Sequence, residues 1–139
     1  PAADGLAIGL IADGEIAAST AVLSVSFGMP EDVLSAYLGA CGALPEASWY
    51  VSRVDDDLVA TALGITIDGV TGVFNVATLP GHRGRGHGAA LTARVVQDGF
   101  ESGARLAFLQ SSKLGHPVYR RLGFRDVEEY VLLTRPAAA

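Results

Sequence analysis

The chain has 139 residues, with a single cysteine, Cys41, and only three histidines, His82, His87 and His116. One cysteine closes no internal disulfide, and histidines so scattered give no metal-ligand spacing, so neither a disulfide scaffold nor a metal site is expected. Mean hydropathy is +0.35. No apolar run approaches the roughly 18 residues of a membrane span, because Gly, Asp, Ser and Thr interrupt each candidate. No basic segment followed by an apolar stretch and a cleavage site opens the chain. These absences point to a soluble, cytoplasmic protein with no membrane partner. The first residue is Pro1 rather than Met, which leaves open whether the sequence belongs to a longer chain.

What is present suits one packed core. Half of the residues are hydrophobic, and no repeat, low-complexity tract or long linker divides them, so residues 1–139 read as a single domain. The net charge of −5 is unevenly spread. Ten acids stand against Arg53 alone up to Pro80, whereas nine bases face five acids beyond it. An anionic ligand suits the C-terminal half and a cationic one the other.

Periodicity orders the elements. An apolar strand at 6–12 precedes a helix from about Glu15 to Phe27. A second helix follows, opened by Pro30, Glu31 and Asp32, with Val33, Leu34, Tyr37, Leu38 and Cys41 on one inward face. Three strands come next, at 49–54, 58–67 and 70–79. The acidic stretch Asp55–Asp57 turns the first pair, and Asp68-Gly69, a type I′ signal, turns the second. A helix from Gly88 to Ser102 packs a broad arc of Leu91, Thr92, Ala93, Val95, Val96, Gly99 and Phe100. Then come a buried strand at 105–110, a helix from Gly115 to Leu122 stopped by Gly123, and a last strand at 128–135. The class is α/β (α+β): a mixed central sheet with an antiparallel meander and helices on both faces.

Residues 76–91, VATLPGHRGRGHGAAL, end a strand, turn through alternating glycines and start a helix. Free amides at a helix N-terminus bind anions, glycines let the backbone approach closely, and Arg83 and Arg85 add charged donors. Three kinds of phosphate loop compete. No Lys occurs there, which excludes the nucleotide-triphosphate loop. Gly84, Gly86 and Ala89 fit a dinucleotide fingerprint, making an NAD(P)-binding domain an alternative. The strand before it closes an antiparallel meander, however, and no ribose-binding acid follows.

The third kind is matched in detail. Arg83-Gly84-Arg85-Gly86-His87-Gly88 resembles the (Q/R)xxGx(G/A) signature of the GNAT superfamily of N-acetyltransferases. The likeness extends over about 60 residues. FNVATLP is similar to the family's bulged fourth strand, and VYRRLGF at 118–124 to its second marker, a tyrosine four residues before Gly-Phe. The resemblance implies a GNAT fold with an acetyl-CoA-binding core at 70–126 and an acyltransferase moving acetyl from acetyl-CoA to a primary amine. It places the pantetheine arm beside Val76, Ala77 and Thr78, and the pyrophosphate on the amides of Gly84, Arg85, Gly86, His87, Gly88 and Ala89, with Arg83 at the signature's first position. An amide of Ala77 or Thr78 polarises the thioester carbonyl. Ser112 stands where relatives carry an Asn that touches the cofactor, and Tyr119 protonates the departing thiolate.

No general base is assigned. Gln110 on the fifth strand accepts no proton usefully, and Glu31, Asp32 and Asp55–Asp57 are acids without a motif. The acceptor is a small-molecule or peptide amine, drawn as a cation if the acidic half lines its cleft. Coenzyme A accounts for the basic half without nucleic acid. A homodimer is left open. A catalytically degenerate acyl-CoA-binding sensor or subunit is the other alternative.

Overall fold

Two aspartate-built turns shape the sheet. Asp68 and Gly69 both have positive φ (50° and 77°), as a two-residue I′ hairpin requires. Asp55 and Asp56 do the same without glycine (50° and 70°), using the tolerance of aspartate for the left-handed region. They join β2 (Ala47–Val54), β3 (Asp57–Ile67) and β4 (Val70–Thr78) into an antiparallel meander. In the computed structural model, which describes residues 6–136, β1 (Ala7–Leu10) pairs antiparallel with β2, and β5 (Leu106–Leu109) pairs parallel with β4. The five strands lie in chain order.

Helices cover both faces. On one lie α1 (Ile16–Phe27), ended by Gly28 at φ 66°, and α2 (Glu31–Gly42). Val22, Leu23, Leu34 and Leu38 pack there on Trp49, Leu63 and Ala77. On the other lies α3 (His87–Glu101), whose Leu91 and Val95 meet Tyr50, Ala60, Ala62 and Val73. Adjacent strand residues such as Trp49 and Tyr50 serve opposite cores, which is the two-residue period of a sheet buried on both sides. The short α4 (His116–Arg121) follows β5 and ends at Gly123, where φ is 96°.

Four expectations need correction. The strand expected to be buried at 105–110 is not: Leu106 and Phe108 of β5 are exposed, and Ala107 and Leu109 only partly covered. On α2 only Leu34 and Leu38 are buried. Val33 and Tyr37 are half exposed, and Cys41 is partly buried against the core. The helix meets the sheet with a narrower stripe than its apolar sequence offers. On α3 the buried set is His87, Ala90, Leu91, Thr92, Val95 and Gly99, while Ala93 and Phe100 are exposed and line a groove of about 550 Å³ shared with Leu122 and Phe124. The strand expected at 128–135 is not formed: residues 124–136 carry no regular structure. Alternating β-branched and aromatic residues report a preference for a sheet, but a strand exists only where an edge takes up its amides.

The height of α3 above the sheet is set by two glycines. A Cβ on Gly64 would lie 2.7 Å from Val95 Cγ1, and one on Gly99 would overlap the Thr71 hydroxyl. Neither backbone has room to yield without lifting the helix. Gly99→Ala is therefore expected to destabilise the protein by about 1–3 kcal/mol in urea unfolding, and Thr71→Ala in the same chain should recover part of that loss.

Candidate acyl-cofactor site

β4 is bonded on both sides for only half its length. Val70–Val73 pair with β5, but the register with β5 stops there, while the pairing with β3 continues to Thr78. Between the Leu63–Phe74 and Thr61–Ala77 pairs, β4 spends one extra residue, and Asn75 takes a positive φ of 52°. This is a bulge, which bends the strand as it leaves β5. From there to Thr78 one edge of β4 lies open.

The direction of the amides on that edge follows from one bond. Leu79 N–H donates to Val59 O at 2.9 Å, so residue 79 faces β3. Antiparallel alternation then turns Thr78 N–H, and Val76 two residues back, towards the open edge, and Ala77 towards β3. The carbonyl of Thr78 agrees: it accepts from Ser26 Oγ at 3.3 Å and from Arg83 Nε at 3.1 Å, neither of them on β3. Of the two amides expected for polarising a carbonyl, Thr78 is the one that faces outward. Val76 and Thr78 side chains approach the position of Gly88, where a Cβ would sit 3.5 Å from Val76 Cγ1.

Beyond Thr78 the chain makes a 3-10 turn, Pro80–His82, and reaches Arg83, Gly84, Arg85 and Gly86. Gly84 and Gly86 have φ of 76° and 89°, and Gly86 is the N-cap of α3 with no side chain capping it. The amides of the first turn, from His87 to Ala89, are thus left for a guest. Arg83, Gly84, Arg85 and Gly86 are at the surface or close to it, whereas His87 is buried. The bond from Arg83 to Thr78 O ties the loop to the open strand.

His87 is the position at which the loop enters the core. Its Nδ1 lies 2.8 Å from Ser52 Oγ on β2, and its Nε2 is buried without a partner. Its ring stands edge-on to His82, with centroids 6.2 Å apart. Burial, then the charges of His82 and Arg85, hold its pKa below the usual histidine value. The sequence placed His87 among the cofactor contacts. The fold gives its side chain an anchoring task at Ser52 instead.

Ser112 and Tyr119 lie at the start of and within α4's turn. Ser112 Oγ accepts from Gly115 N–H at 3.1 Å, so it shapes the entry to the helix. Tyr119 is half buried, packs edge-on to Phe124 with centroids 6.2 Å apart, and has Gly115 against its ring. Desolvation raises its phenol pKa, which keeps it a proton donor at neutral pH. Gln110 follows β5 and is exposed.

The acids do not converge on the open edge. Asp55–Asp57 and Asp68 sit at hairpin tips, Glu15 is paired with Arg53 across 2.5 Å, and Glu31 and Asp32 begin α2. Among the described residues no group of three or more His, Cys, Asp or Glu side chains could hold a metal ion. No described helix is long and apolar enough to cross a membrane.

The family model described as "Acetyltransferase (GNAT) family" matches residues 16–124. The chain belongs to the GNAT acetyltransferase family. No curated protein matches it. Its fold is shared by solved structures of low identity. One is a predicted acetyltransferase from Clostridium acetobutylicum, with acetyl-CoA (22% identity, TM-score 0.77, covering 93% of this chain and 96% of that one). Another is a Trypanosoma brucei acetyltransferase (19%, TM-score 0.73, 94% and 99%). A third is AAC(6')-Iy in complex with a bisubstrate analog, CoA-S-monomethyl-acetylneamine (18%, TM-score 0.78, 96% and 100%). Membership makes this GNAT domain an acyltransferase of the acetyl-CoA-dependent kind. The open edge and the adjoining glycine cradle fit that cosubstrate, an extended amide-bearing arm joined to a pyrophosphate.

The depressed pKa of His87 has a sign. A histidine harder to protonate folded than unfolded adds stability that is full above its unfolded pKa of about 6.5 and is lost as pH falls through the lower folded value. Urea unfolding from pH 8 to 5 should show this loss, with a slope of at most about 1.4 kcal/mol per pH unit. The slope should flatten in His87→Gln.

Proposed function

We propose that the domain transfers the acetyl group of acetyl-CoA to the primary amine of an acceptor. The observation that carries this reading is the juxtaposition of the open β4 edge, with Thr78 N–H facing outward, and the uncapped N-terminus of α3 eight residues further on. The cosubstrate supplies the activated thioester. The amides of Gly84 to Ala89, with Arg83 and Arg85, are suited to hold its pyrophosphate. Val76 and Thr78 offer backbone partners to the arm, and Thr78 N–H is aimed to draw charge onto a carbonyl oxygen beside the strand. Tyr119, the tyrosine four residues before Gly123-Phe124, is the proton donor for the departing sulfur, its half-buried phenol being protonated at neutral pH. Ser112 lies close enough to Gly115 and Tyr119 to border the same space.

The acceptor is assigned to the α1–α2 side. Ser26, at the end of α1, touches Thr78 O, and the adjoining connection exposes Phe27 and Met29 before Glu31 and Asp32. This combination suits a cationic amine carrying an apolar body, because the acids attract the ammonium and the exposed side chains cover the rest. AAC(6')-Iy, with its aminoglycoside-derived bisubstrate analog, offers a first acceptor class to try.

Thiol release from acetyl-CoA with a panel of amines tests the reading. Acetyl-CoA is expected to raise the melting temperature and to be consumed with at least one cationic amine. A melting shift without thiol release for any amine would make this a binding domain, and a shift with NAD(P) instead would remove acetyl transfer altogether. Tyr119→Phe should lower kcat about 100-fold, at the lower end for loss of a proton donor, with the KM for acetyl-CoA nearly unchanged.

A further inference from the structure

Two histidine nitrogens beside the glycine loop are enclosed by protein and bonded to nothing. They are Nε2 of His87, at the first position of α3, and Nδ1 of His82, at the end of the 3-10 turn. The two rings meet edge-on, with centroids 6.2 Å apart and planes 77° to one another. A buried polar atom without a partner is uncommon, and two on neighbouring rings at the rim of a binding surface call for one shared explanation.

The protons follow from Ser52 outward. Ser52 is fully buried, and among the described residues its hydroxyl has one partner, Nδ1 of His87 at 2.8 Å. A buried hydroxyl uses its hydrogen, so Ser52 donates and Nδ1 accepts. His87 is only 2% exposed, and its burial, then the charges of His82 and Arg85, disfavour a second proton on the ring. A neutral imidazole that accepts at Nδ1 carries its hydrogen on Nε2. The facing ring offers a buried acceptor, His82 Nδ1. With Nδ1 accepting, His82 carries its own hydrogen on Nε2, across the ring. His82 is half buried, and with Nδ1 enclosed its open side is the other one. The 3-10 turn Pro80–His82 joins the free end of β4 to Arg83 and the glycine loop, so that open side lies between the two surfaces.

We propose that His82 is a further cosubstrate-binding residue whose Nε2–H donates to a pyrophosphate oxygen on the loop, with Ser52 and His87 behind it as positioning residues that fix its tautomer. The inference rests on the reading that seats the pyrophosphate on the amides of Gly84 to Ala89. Each member of the row donates outward: Ser52 Oγ–H to His87 Nδ1, His87 Nε2–H to His82 Nδ1, and His82 Nε2–H to the phosphate. No proton changes owner, and the charge at the outer end polarises every bond behind it. The middle bond is not made in this structure. A small turn of the His82 ring, favoured once its outer N–H has an anion to bind, closes it.

Calorimetric titration with CoA tests the row. His82→Leu keeps an apolar side chain in the turn and should weaken CoA binding about 10-fold, the scale of one hydrogen bond to a charged group. His82→Gln, whose carboxamide both accepts and donates, should recover most of that affinity, whereas mere packing would be served better by leucine. Ser52→Ala should weaken binding about threefold in the unaltered chain and not measurably in His82→Leu, because its effect passes through His82. Far-ultraviolet spectra establish that each variant is folded, and if Ser52→Ala is not, the two His82 variants decide. Three results would overturn the assignment: His82→Leu binding CoA as tightly as the unaltered chain, His82→Leu matching or exceeding His82→Gln, or Ser52→Ala weakening binding equally in both backgrounds. Each of these leaves the acetyl-CoA reading in place, whereas failure of the unaltered chain to bind CoA removes both.

Discussion

The contact on which the site depends is the close seating of α3 on the sheet. With glycine at 64 and 99, Val95 and Thr71 reach into space that a methyl group would fill. A helix held at that height points its first turn at the end of β4, so the position of the glycine loop is fixed by packing two to three turns away. Polar side chains sit within this interface, among them Thr71, Thr92 and His87. It is therefore short in reach and exacting in shape, and apolar area alone does not secure it.

The second constraint is the departure of β4 from β5. The bulge at Asn75 uses a left-handed residue other than glycine, a conformation that persists only where the surroundings hold it. It re-aims the last residues of the strand just where pairing with β5 ceases. One edge of an otherwise buried sheet is opened by local backbone geometry, without any loop insertion. An amide-rich ligand arm can then take the place that a further length of β5 would have had.

Much of this was legible in the letters. Asp68-Gly69 specified its turn because both residues need positive φ, and RGRGHG specified a sharp turn into a helix because Gly84 and Gly86 take positive φ. The direction of individual amides was not legible: whether Ala77 or Thr78 faces outward depends on the pairing parity of β3 with β4, which no motif encodes. The anchoring of His87 was hidden for a similar reason, since Ser52 lies 35 positions earlier and only the fold brings it to 2.8 Å. The pattern of EEYVLLTR misled, because alternating apolar residues report what a segment would do at an edge and not whether an edge takes it up.

The bond from Arg83 Nε to Thr78 O joins the glycine loop to the end of the open strand at one atom. The loop and the end of the strand therefore share one hydrogen bond, so a displacement of the guanidinium is felt at the last carbonyl of β4, and ordering of that strand end in turn positions the side chain. On the proposed reading, groups bound at the loop and along the strand edge would be linked through this bond, and any such coupling is reciprocal.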